Sequence, residues 1–379
     1  MKRLIILCAA VVWALFSGCQ APTNPLEKAA LAVSAGGAQT MVLKYNGDLY
    51  ATGGNAAGQL GIGDTLKRTT PVQVTGMSGV SAVSAGAFHT MILKSDGTLW
   101  ATGLNANGQL GTGDMVDRTT PVQVTGISGV SAVSAGGAHT MILKSDGTLW
   151  ATGLNLNGQL GTGDMVDRTT PVQVTGISGV SAVSAGGLFT MILKSDGTLW
   201  ATGRNFNGQL GTNDTLDINH PVQVTSISGV SAVSAGTYHT MILKNDGSLY
   251  ATGLNANGQL GTNDTTKKKI PTLVTAISGV SAVSAGGLHT MVLKSDGTLY
   301  ATGFNFYGQL GTNDTISRRT PALVPGMSRV SAVSAGGFHT MILRNDGTLW
   351  AAGDNSFGQF GISTGSTTNE TPVQVWPQQ

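Results

Sequence analysis

Charge is scarce in this sequence. Only 11% of its 379 residues are charged, against about 25% in typical soluble domains. Beyond the N-terminal stretch, the chain lacks the run of about 18 apolar residues that a membrane-spanning helix needs, and no segment shows the 3.6-residue apolar period of an amphipathic helix. These absences exclude a multispan membrane protein and a coiled coil, and the mild mean hydropathy excludes a disordered chain.

Familiar catalytic patterns are also missing. Glutamate occurs only as Glu27 and Glu370, and we find no Gly-x-Ser-x-Gly elbow, no phosphate loop and no paired-carboxylate site. The spacing of Asp114 and Asp117, like Asp64 alone, matches no calcium loop that supplies six oxygens. We therefore expect a protein that is not an enzyme and that holds no cofactor and no metal.

Cysteine is limited to Cys8 and Cys19. Met1, Lys2 and Arg3 form a positive n-region before an apolar core over 4–16, which is typical of a secretory signal peptide. The segment 15–19, Leu-Phe-Ser-Gly-Cys, resembles a bacterial lipobox, with Phe16 where leucine is usual. We expect a signal peptide over 1–18, lipidation of Cys19, a tether over 19–30 and a cell-envelope lipoprotein at the outer membrane or cell surface; the alternative is an ordinary secreted protein.

Net charge disappears once this segment is removed. Loss of Lys2 and Arg3 lowers lysine plus arginine from 21 to 19, against 19 aspartate plus glutamate residues, so the mature net charge is zero. A protein that neutralises phosphates needs a basic excess. We expect no nucleic-acid partner, and a membrane contact only through the lipid on Cys19.

Glycine, in contrast, is abundant, with 55 residues, and it recurs within a repeat. From residue 31 the sequence repeats every 50 residues, as 31–80, 81–130, 131–180, 181–230, 231–280, 281–330 and a final 331–379. Periods of this size indicate stacked or radially arranged supersecondary units.

Each repeat predicts four strands. In the second copy these are 80–85, 90–94, 98–102 and 121–125, with the hairpin signal Asp96-Gly97 between the second and third. Seven four-stranded units in series predict an all-β, seven-bladed β-propeller, with the small-residue first strand innermost. Spacing alone leaves open whether the last strand, 372–376, completes its own blade or joins the first.

The repeat also resembles a known family. Ala-Gly-x-x-His-Thr, Asp-Gly-x-Leu-Trp and Gly-x-Asn-x-x-Gly-Gln-Leu-Gly follow one another in the pattern of the regulator of chromosome condensation family, over 31–379. The resemblance implies a seven-bladed propeller. It does not fix the function, since family members range from a nuclear exchange factor for the GTPase Ran to a secreted bacterial inhibitor of β-lactamases.

Residues identical in every copy are interpreted as architectural. The hairpin glycines, such as Gly97, are expected at positive φ, and Asn105 and its equivalents are expected to bond the loop backbone. Five copies share a histidine at one position: His89, His139, His239, His289 and His339. Gln39 and Phe189 take this position in the other two copies. Equivalent positions on separate blades should not converge on one metal ion, so we interpret these histidines as turn-stabilising.

Positions that differ between copies are the candidate site. The second and third copies differ only at Ala87/Gly137, Phe88/Ala138 and Ala106/Leu156, all expected at the rim that bears the turn after the first strand and the loop after the third. Seven of the nine phenylalanines fall at such positions, Phe189 among them. Our predicted binding residues are Phe88, Leu156, Arg204, Phe206, Tyr238, Phe304, Phe306, Tyr307, Phe338 and Phe357. Arg204 and Asp354, the only charges directly after a third strand, could orient a ligand.

The sequence thus predicts a monomeric, lipid-anchored propeller that binds an unidentified protein or other macromolecule through one aromatic-rich rim. Guanine-nucleotide exchange is an alternative that rests on the family resemblance. Export and the absence of any blade insertion argue against it. Inhibition of an extracellular enzyme is a special case of rim binding.

Overall fold

The computed structural model describes residues 29–362 and 366–377. The predicted signal peptide and Cys19 lie outside the described residues, as does the tether up to residue 28. Within the described ranges the chain forms 28 strands, and no helix there is long and apolar enough to cross a membrane. The strands form seven antiparallel sheets of four consecutive strands, here called blades 1 to 7.

The strand bounds repeat closely from blade to blade. Blade 1 contains β1 (Ala30–Ala35), β2 (Gln39–Lys44), β3 (Leu49–Gly53) and β4 (Arg68–Gln73), and blade 2 contains β5 (Val80–Ala85), β6 (His89–Lys94), β7 (Leu99–Gly103) and β8 (Arg118–Gln123). Blade 3 contains β9 (Val130–Ala135), β10 (His139–Lys144), β11 (Leu149–Gly153) and β12 (Arg168–Gln173), and blade 4 contains β13 (Val180–Ala185), β14 (Phe189–Lys194), β15 (Leu199–Gly203) and β16 (Ile218–Gln223). Blade 5 contains β17 (Val230–Ala235), β18 (His239–Lys244), β19 (Leu249–Gly253) and β20 (Lys268–Leu273). Blade 6 contains β21 (Val280–Ala285), β22 (His289–Lys294), β23 (Leu299–Gly303) and β24 (Arg318–Leu323), and blade 7 contains β25 (Val330–Ala335), β26 (His339–Arg344), β27 (Leu349–Asp354) and β28 (Thr368–Trp376).

The core lies between the blades. In β6, Met91 and Leu93 belong to an apolar cluster shared with blade 3, whereas Ile92 belongs to the cluster shared with blade 1. Successive side chains of a strand point to opposite faces, so a strand buried on both faces is apolar throughout. Each such side chain contributes about 1.5–3 kcal/mol on burial, and face-to-face packing of blades therefore provides most of the apolar stabilisation.

Small residues surround the axis because neighbouring blades approach closely there. A Cβ on Gly86 would lie 2.6 Å from the carbonyl oxygen of Gly136 in the next blade. The amide of Gly37 donates to the Gly86 carbonyl oxygen at 3.1 Å, and the equivalent bond joins every successive pair of blades around the ring. The predicted innermost position of the first strand is confirmed.

The ring closes without a shared strand. β28 pairs with β27 of its own blade, which answers the question that spacing left open. Blades 7 and 1 meet through contacts of the same kind as the other blades: Gly337 donates its amide to Gly36 O at 3.0 Å, and Ala35 donates its amide to Ser334 Oγ at 2.9 Å.

Several predicted strand boundaries were wrong, including those of the second and third strands of blade 2, which are His89–Lys94 and Leu99–Gly103 rather than 90–94 and 98–102. The fourth strand of blade 2 begins at Arg118 rather than at 121, because Arg118 pairs with Gly103 across a bulge before Pro121 removes an amide donor. The first strand begins at Ala30, inside the predicted tether. The turn and loop predictions were correct: Gly97 has a φ of 78°, and Asn105 donates to Asp114 O at 2.9 Å and accepts from the Leu110 amide at 3.0 Å.

Candidate interaction rim

Antiparallel strand order divides the loops between two rims. We call one the loop rim: in every blade it contains the turn between the first and second strands and the long loop between the third and fourth. The amide of Leu104 donates to Phe88 O at 2.9 Å, which joins these two segments in blade 2. The Asp-Gly turns and the links between blades lie at the opposite, hairpin rim. This separation is the one that the sequence predicted.

Seven of the ten predicted binding residues expose between 37% and 66% of their surface. Phe304, Tyr307 and Arg204 are half-buried. All ten lie in loop-rim segments. The exposed seven are Phe88, Leu156, Phe206, Tyr238, Phe306, Phe338 and Phe357.

Phe189 does not belong to this surface. The sequence analysis placed it at a variable rim position, but its side chain is 0% exposed and packs in the apolar cluster between blades 4 and 5. It takes the position that histidine holds in five other blades, and a Cβ on Gly186 would lie 2.3 Å from its ring. The prediction was wrong because this position starts the second strand and faces the neighbouring blade.

Four predicted aromatic residues form one cluster across blades 6 and 7. The ring centroids of Phe306 and Tyr307 are 5.3 Å apart, and those of Tyr307 and Phe338 are 5.2 Å apart. Phe304 lies within 6.2–6.3 Å of all three. These separations are typical of favourable aromatic pairs. The cluster is therefore pre-packed, while Phe306 keeps most of its surface open to a ligand.

A second group of exposed apolar residues, not predicted from the sequence, lies in the long loops. Five blades place an aliphatic residue two positions after a loop aspartate: Leu66, Val116, Val166, Leu216 and Ile316, each at least 59% exposed. The loop requires only the backbone here, since the amide of Leu66 donates to Asp64 Oδ1 and its carbonyl accepts from Asn55. These positions vary between copies among leucine, valine, isoleucine and, at Thr266, threonine, but the prediction centred on the aromatic residues. The signal that could have revealed this group is an apolar side chain at a loop position where only the backbone forms hydrogen bonds.

The two groups make the rims unequal. Of the 18 large apolar side chains that are exposed in the described part of the chain, 14 lie at the loop rim. The other four are Tyr45, Ile270, Leu273 and Leu323. Exposed apolar side chains gathered on one face are typical of an interaction surface.

The two charged residues proposed as orienting groups differ in their surroundings. The carboxylate of Asp354 accepts from the Ser356 amide at 3.0 Å and from Gln359 Nε2 at 2.9 Å. Arg204 forms no ion pair within the described residues. The long-loop aspartates are engaged elsewhere: Asp114 pairs with Arg118 at 2.5 Å, and Asp117 accepts from the Asn105 amide at 2.7 Å.

The five repeated histidines join blades rather than only stabilising a turn. Each is 0% exposed. Nε2 of His89 lies 3.0 Å from Oγ1 of Thr140 in the next blade, and that hydroxyl donates its one proton to Gln109 O at 2.8 Å. His89 Nε2 must therefore be the donor, and Nδ1 is left unprotonated, with no hydrogen-bond partner among the described residues. The same arrangement holds at His139, His239 and His289.

Burial sets the protonation of these rings. Loss of hydration lowers the pKa of His89 and His339 to about 4 and the pKa of His139, His239 and His289 to about 3. The imidazoles are neutral at physiological pH, and His89, His139, His239 and His289 serve as inter-blade donors. Within the described residues, no group of three or more histidine, cysteine, aspartate or glutamate side chains is arranged to hold a metal ion.

A central funnel opens among the inner strands. Its empty volume is about 630 Å³, open to solvent, and seven copies of an Ala-Gly-Gly-type segment line it, with Ala87 and Thr237 as variants. No charged side chain lines this funnel in the described chain. The side chains that differ in character from blade to blade therefore lie on the loop rim rather than at the axis.

Comparison with protein families fits this architecture. A model described as the RCC1-like domain matches residues 17–287, which is more than half of the chain. The chain belongs to the RCC1-like family. Models of the regulator of chromosome condensation (RCC1) repeat match this RCC1-like chain again at 296–343, 280–309 and 330–359. No curated protein sequence matches it significantly.

Solved structures share the RCC1-like fold at low sequence identity. Prp20p from Saccharomyces cerevisiae, described with its binding to Gsp1p and histones, is 20% identical with a TM-score of 0.78, and the match covers 86% of this chain and 85% of that one. Yeast RCC1 (Prp20) bound to Kap60 is 19% identical with a TM-score of 0.78, over 97% and 90% of the two chains. Human WBSCR16 is 20% identical with a TM-score of 0.77, over 86% and 93%. At these identities the likeness establishes the fold.

Proposed function

We propose that this RCC1-like propeller is a protein-binding module that engages its partner through the loop rim. The observation that carries the proposal is the concentration of 14 of the 18 exposed large apolar side chains on that rim. Burial of such side chains drives most protein association, and buried aromatic anchors dominate interface energetics. The structurally similar Prp20 is described in complex with Kap60 and with binding to Gsp1p and histones, so this architecture can serve protein recognition.

The proposed role is binding rather than catalysis. The buried polar groups recur from blade to blade in the histidine and threonine junctions, and a reaction centre needs a constellation that breaks this symmetry. Guanine-nucleotide exchange has no specific observation in its favour, because blades 1 to 6 keep one 50-residue spacing and carry no inserted wedge. The lipobox around Cys19 supports a lipid-anchored protein of the cell envelope, held there by its acyl chains.

Capture of a partner from envelope extracts tests the proposal. The bait is the affinity-tagged full chain, compared with a triple variant at exposed loop-rim positions: Phe206→Ala, Phe306→Ala and Phe357→Ala. The matched control removes three exposed apolar side chains away from this rim: Tyr45→Ala, Leu273→Ala and Leu323→Ala. Thermal unfolding of all three proteins shows that each is folded.

We expect a protein that is retained by the wild type and the control but lost from the loop-rim variant. Equal capture by all three, or capture of nothing above a tag-only column, would refute rim binding. Titration of a captured enzyme with the propeller then separates an inhibitor from a passive scaffold.

A further inference from the structure

Charge is unevenly distributed around the loop rim. The long loops and the fourth-strand starts of blades 5 and 6 carry five cations against two carboxylates: Lys267, Lys268, Lys269, Arg318 and Arg319 against Asp264 and Asp314. Loop-rim segments of blades 2 to 4 carry six carboxylates against three arginines: Asp114, Asp117, Asp164, Asp167, Asp214 and Asp217 against Arg118, Arg168 and Arg204. A chain with almost no net charge thus has a positive sector on one side of this rim and a negative sector on the other.

Only part of the positive sector is neutralised internally. Lys268 Nζ lies 2.6 Å from Asp264 Oδ2, and Arg318 pairs with Asp314 in the same way. Lys267, Lys269 and Arg319 are exposed and form no ion pair within the described residues. These three cations are available to a partner.

Two of the three cations lie beside the loop that carries Phe206. Lys267 Nζ is 5.3 Å from the ring centre of Phe206 and donates to the Phe206 carbonyl oxygen at 3.3 Å. A Cβ on Gly208, in the Phe206 loop, would lie 2.8 Å from Cα of Lys269. Lysine stems also cover apolar surface while keeping their charge in water, so Phe206, Lys267 and Lys269 form one mixed surface.

Arg319 occupies the next junction around the ring. A Cβ on Gly258 of blade 5 would lie 2.6 Å from Cα of Arg319 in blade 6. The loop of blade 6 then carries Phe306, and its Gly308 would place a Cβ 2.5 Å from Cα of Glu370 in blade 7. Around the rim the order is therefore Phe206 with Lys267 and Lys269, then Arg319, then Phe306 with Glu370.

Building on the proposed function, we infer that the partner presents an acidic peptide segment with apolar anchors. Its carboxylates meet Lys267, Lys269 and Arg319, and its apolar side chains meet Phe206 on one side and Phe306 on the other. Blades 2 to 4, with their excess of carboxylates, flank this sector on one side, and Glu370 flanks it on the other. A peptide segment displaced toward either side would place its carboxylates beside these like charges, which disfavours that position. A nucleic acid is a weaker fit, because three free cations are few beside the apolar surface and a phosphate backbone needs many.

Selection from a displayed library of random peptides tests the inference. The full chain, the variant Lys267→Gln/Lys269→Gln/Arg319→Gln and the hairpin-rim control Lys144→Gln/Lys194→Gln/Lys294→Gln are each used as bait. The control removes the same amount of charge far from the loop rim. Affinities of representative enriched peptides, and of a single-stranded DNA oligonucleotide, are then measured by fluorescence anisotropy at several salt concentrations.

We expect the wild type and the control to enrich peptides with an excess of aspartate and glutamate beside an aromatic or aliphatic residue. The loop-rim Gln variant should bind them about tenfold more weakly, with a smaller dependence on salt. Enriched peptides without acidic excess, or acidic peptides that bind the Gln variant equally well, would overturn the inference. If those peptides still required Phe206 and Phe306, the proposed function would stand. Failure to enrich any rim-dependent peptide would count against both the acidic-peptide inference and the proposed function. Tighter binding of the oligonucleotide than of the peptides would indicate a nucleic acid as the partner instead.

Discussion

Two neighbouring junctions solve the same packing problem with opposite chemistry. Between blades 3 and 4, the buried His139 donates to Thr190 at a separation of 3.0 Å. Between blades 4 and 5, Phe189 takes the equivalent position with 0% exposure, and Thr240 keeps only its bond to Gln209 O, at 2.8 Å. The pair shows that an aromatic ring can fill the junction with or without an inter-blade hydrogen bond, because an apolar contact replaces that bond at Phe189.

The largest expected effect that separates the two kinds of junction is acid destabilisation. Burial holds the pKa of the five junction histidines at about 3 to 4, below the value of about 6.5 in an unfolded chain. Between these values the unfolded state binds protons that the folded state does not, so stability falls as the pH is lowered from about 6.5 to about 4. Each histidine lowers the free energy of unfolding by up to about 1.4 kcal/mol per pH unit in this window.

Urea unfolding midpoints measured between neutral pH and pH 4 check this expectation. The surface aspartates do not interfere, because the Leu66 amide and Arg68 lower the pKa of Asp64, and similar bonds lower that of Asp114. Their stabilising contribution is lost only below about pH 3.8. A midpoint that stays constant from pH 7 to pH 4 would contradict buried neutral histidines. The variant His139→Phe, which removes one titrating group, should show a shallower fall.

Substitution of a single junction histidine should give the next largest effect. His139→Ala leaves a cavity and deprives Thr190 of a donor, and we expect a loss of about 2–4 kcal/mol. His139→Phe reproduces the Phe189 junction and should cost about 1 kcal/mol or less at neutral pH. Chemical denaturation measures both. The surface variant Leu156→Ala serves as the control and should change stability by no more than about 0.5 kcal/mol. Equal losses for the two His139 variants would show that the hydrogen bond, not the ring, holds the junction.

The smallest expected effect concerns an arginine at a position where five other blades have glycine. Arg329 adopts a φ of 56° at the hairpin rim, where blades 1 to 5 place Gly79, Gly129, Gly179, Gly229 and Gly279 at 65–67°. A side chain in this left-handed region costs about 1 kcal/mol, partly offset by the flexibility of glycine in the unfolded chain. Arg329→Gly should therefore raise stability by about 0.5 kcal/mol, measured as a higher urea midpoint. A lower midpoint would mean that the arginine makes a stabilising contact that outweighs its backbone strain.

Much of the fold was predictable because each repeat carries local signals. The Asp-Gly turns, the small inner strand and the loop asparagine each correspond to a backbone requirement that one residue type meets. Closure was not predictable, because β28 and β1 obey the same local rules whether or not they pair. Closure depends on contacts such as the hydrogen bond from the Ala35 amide to Ser334 Oγ, which join residues far apart in sequence.

The rim that carries most of the exposed apolar side chains was predicted in position but only partly in composition. Differences between copies pointed to Phe88 and Leu156, which are exposed. The same criterion included Phe189, because the sequence does not show that the first residue of the second strand faces the next blade. Leu66 and its equivalents also vary between copies, but the prediction centred on aromatic residues and missed these aliphatic ones. Burial depends on which neighbour covers a side chain, and this information is absent from a single repeat.

Closure of the ring without a shared strand has a consequence for how such a molecule can change. Every blade is one uninterrupted stretch of chain that starts and ends at the hairpin rim, and it contacts its neighbours through the same backbone and serine bonds at each junction. A stretch of DNA copied in register therefore encodes a complete blade, with no half of it left in another part of the gene. Recombination between copies can exchange loop-rim residues, as the three differences between blades 2 and 3 illustrate, while the junctions that support them stay intact.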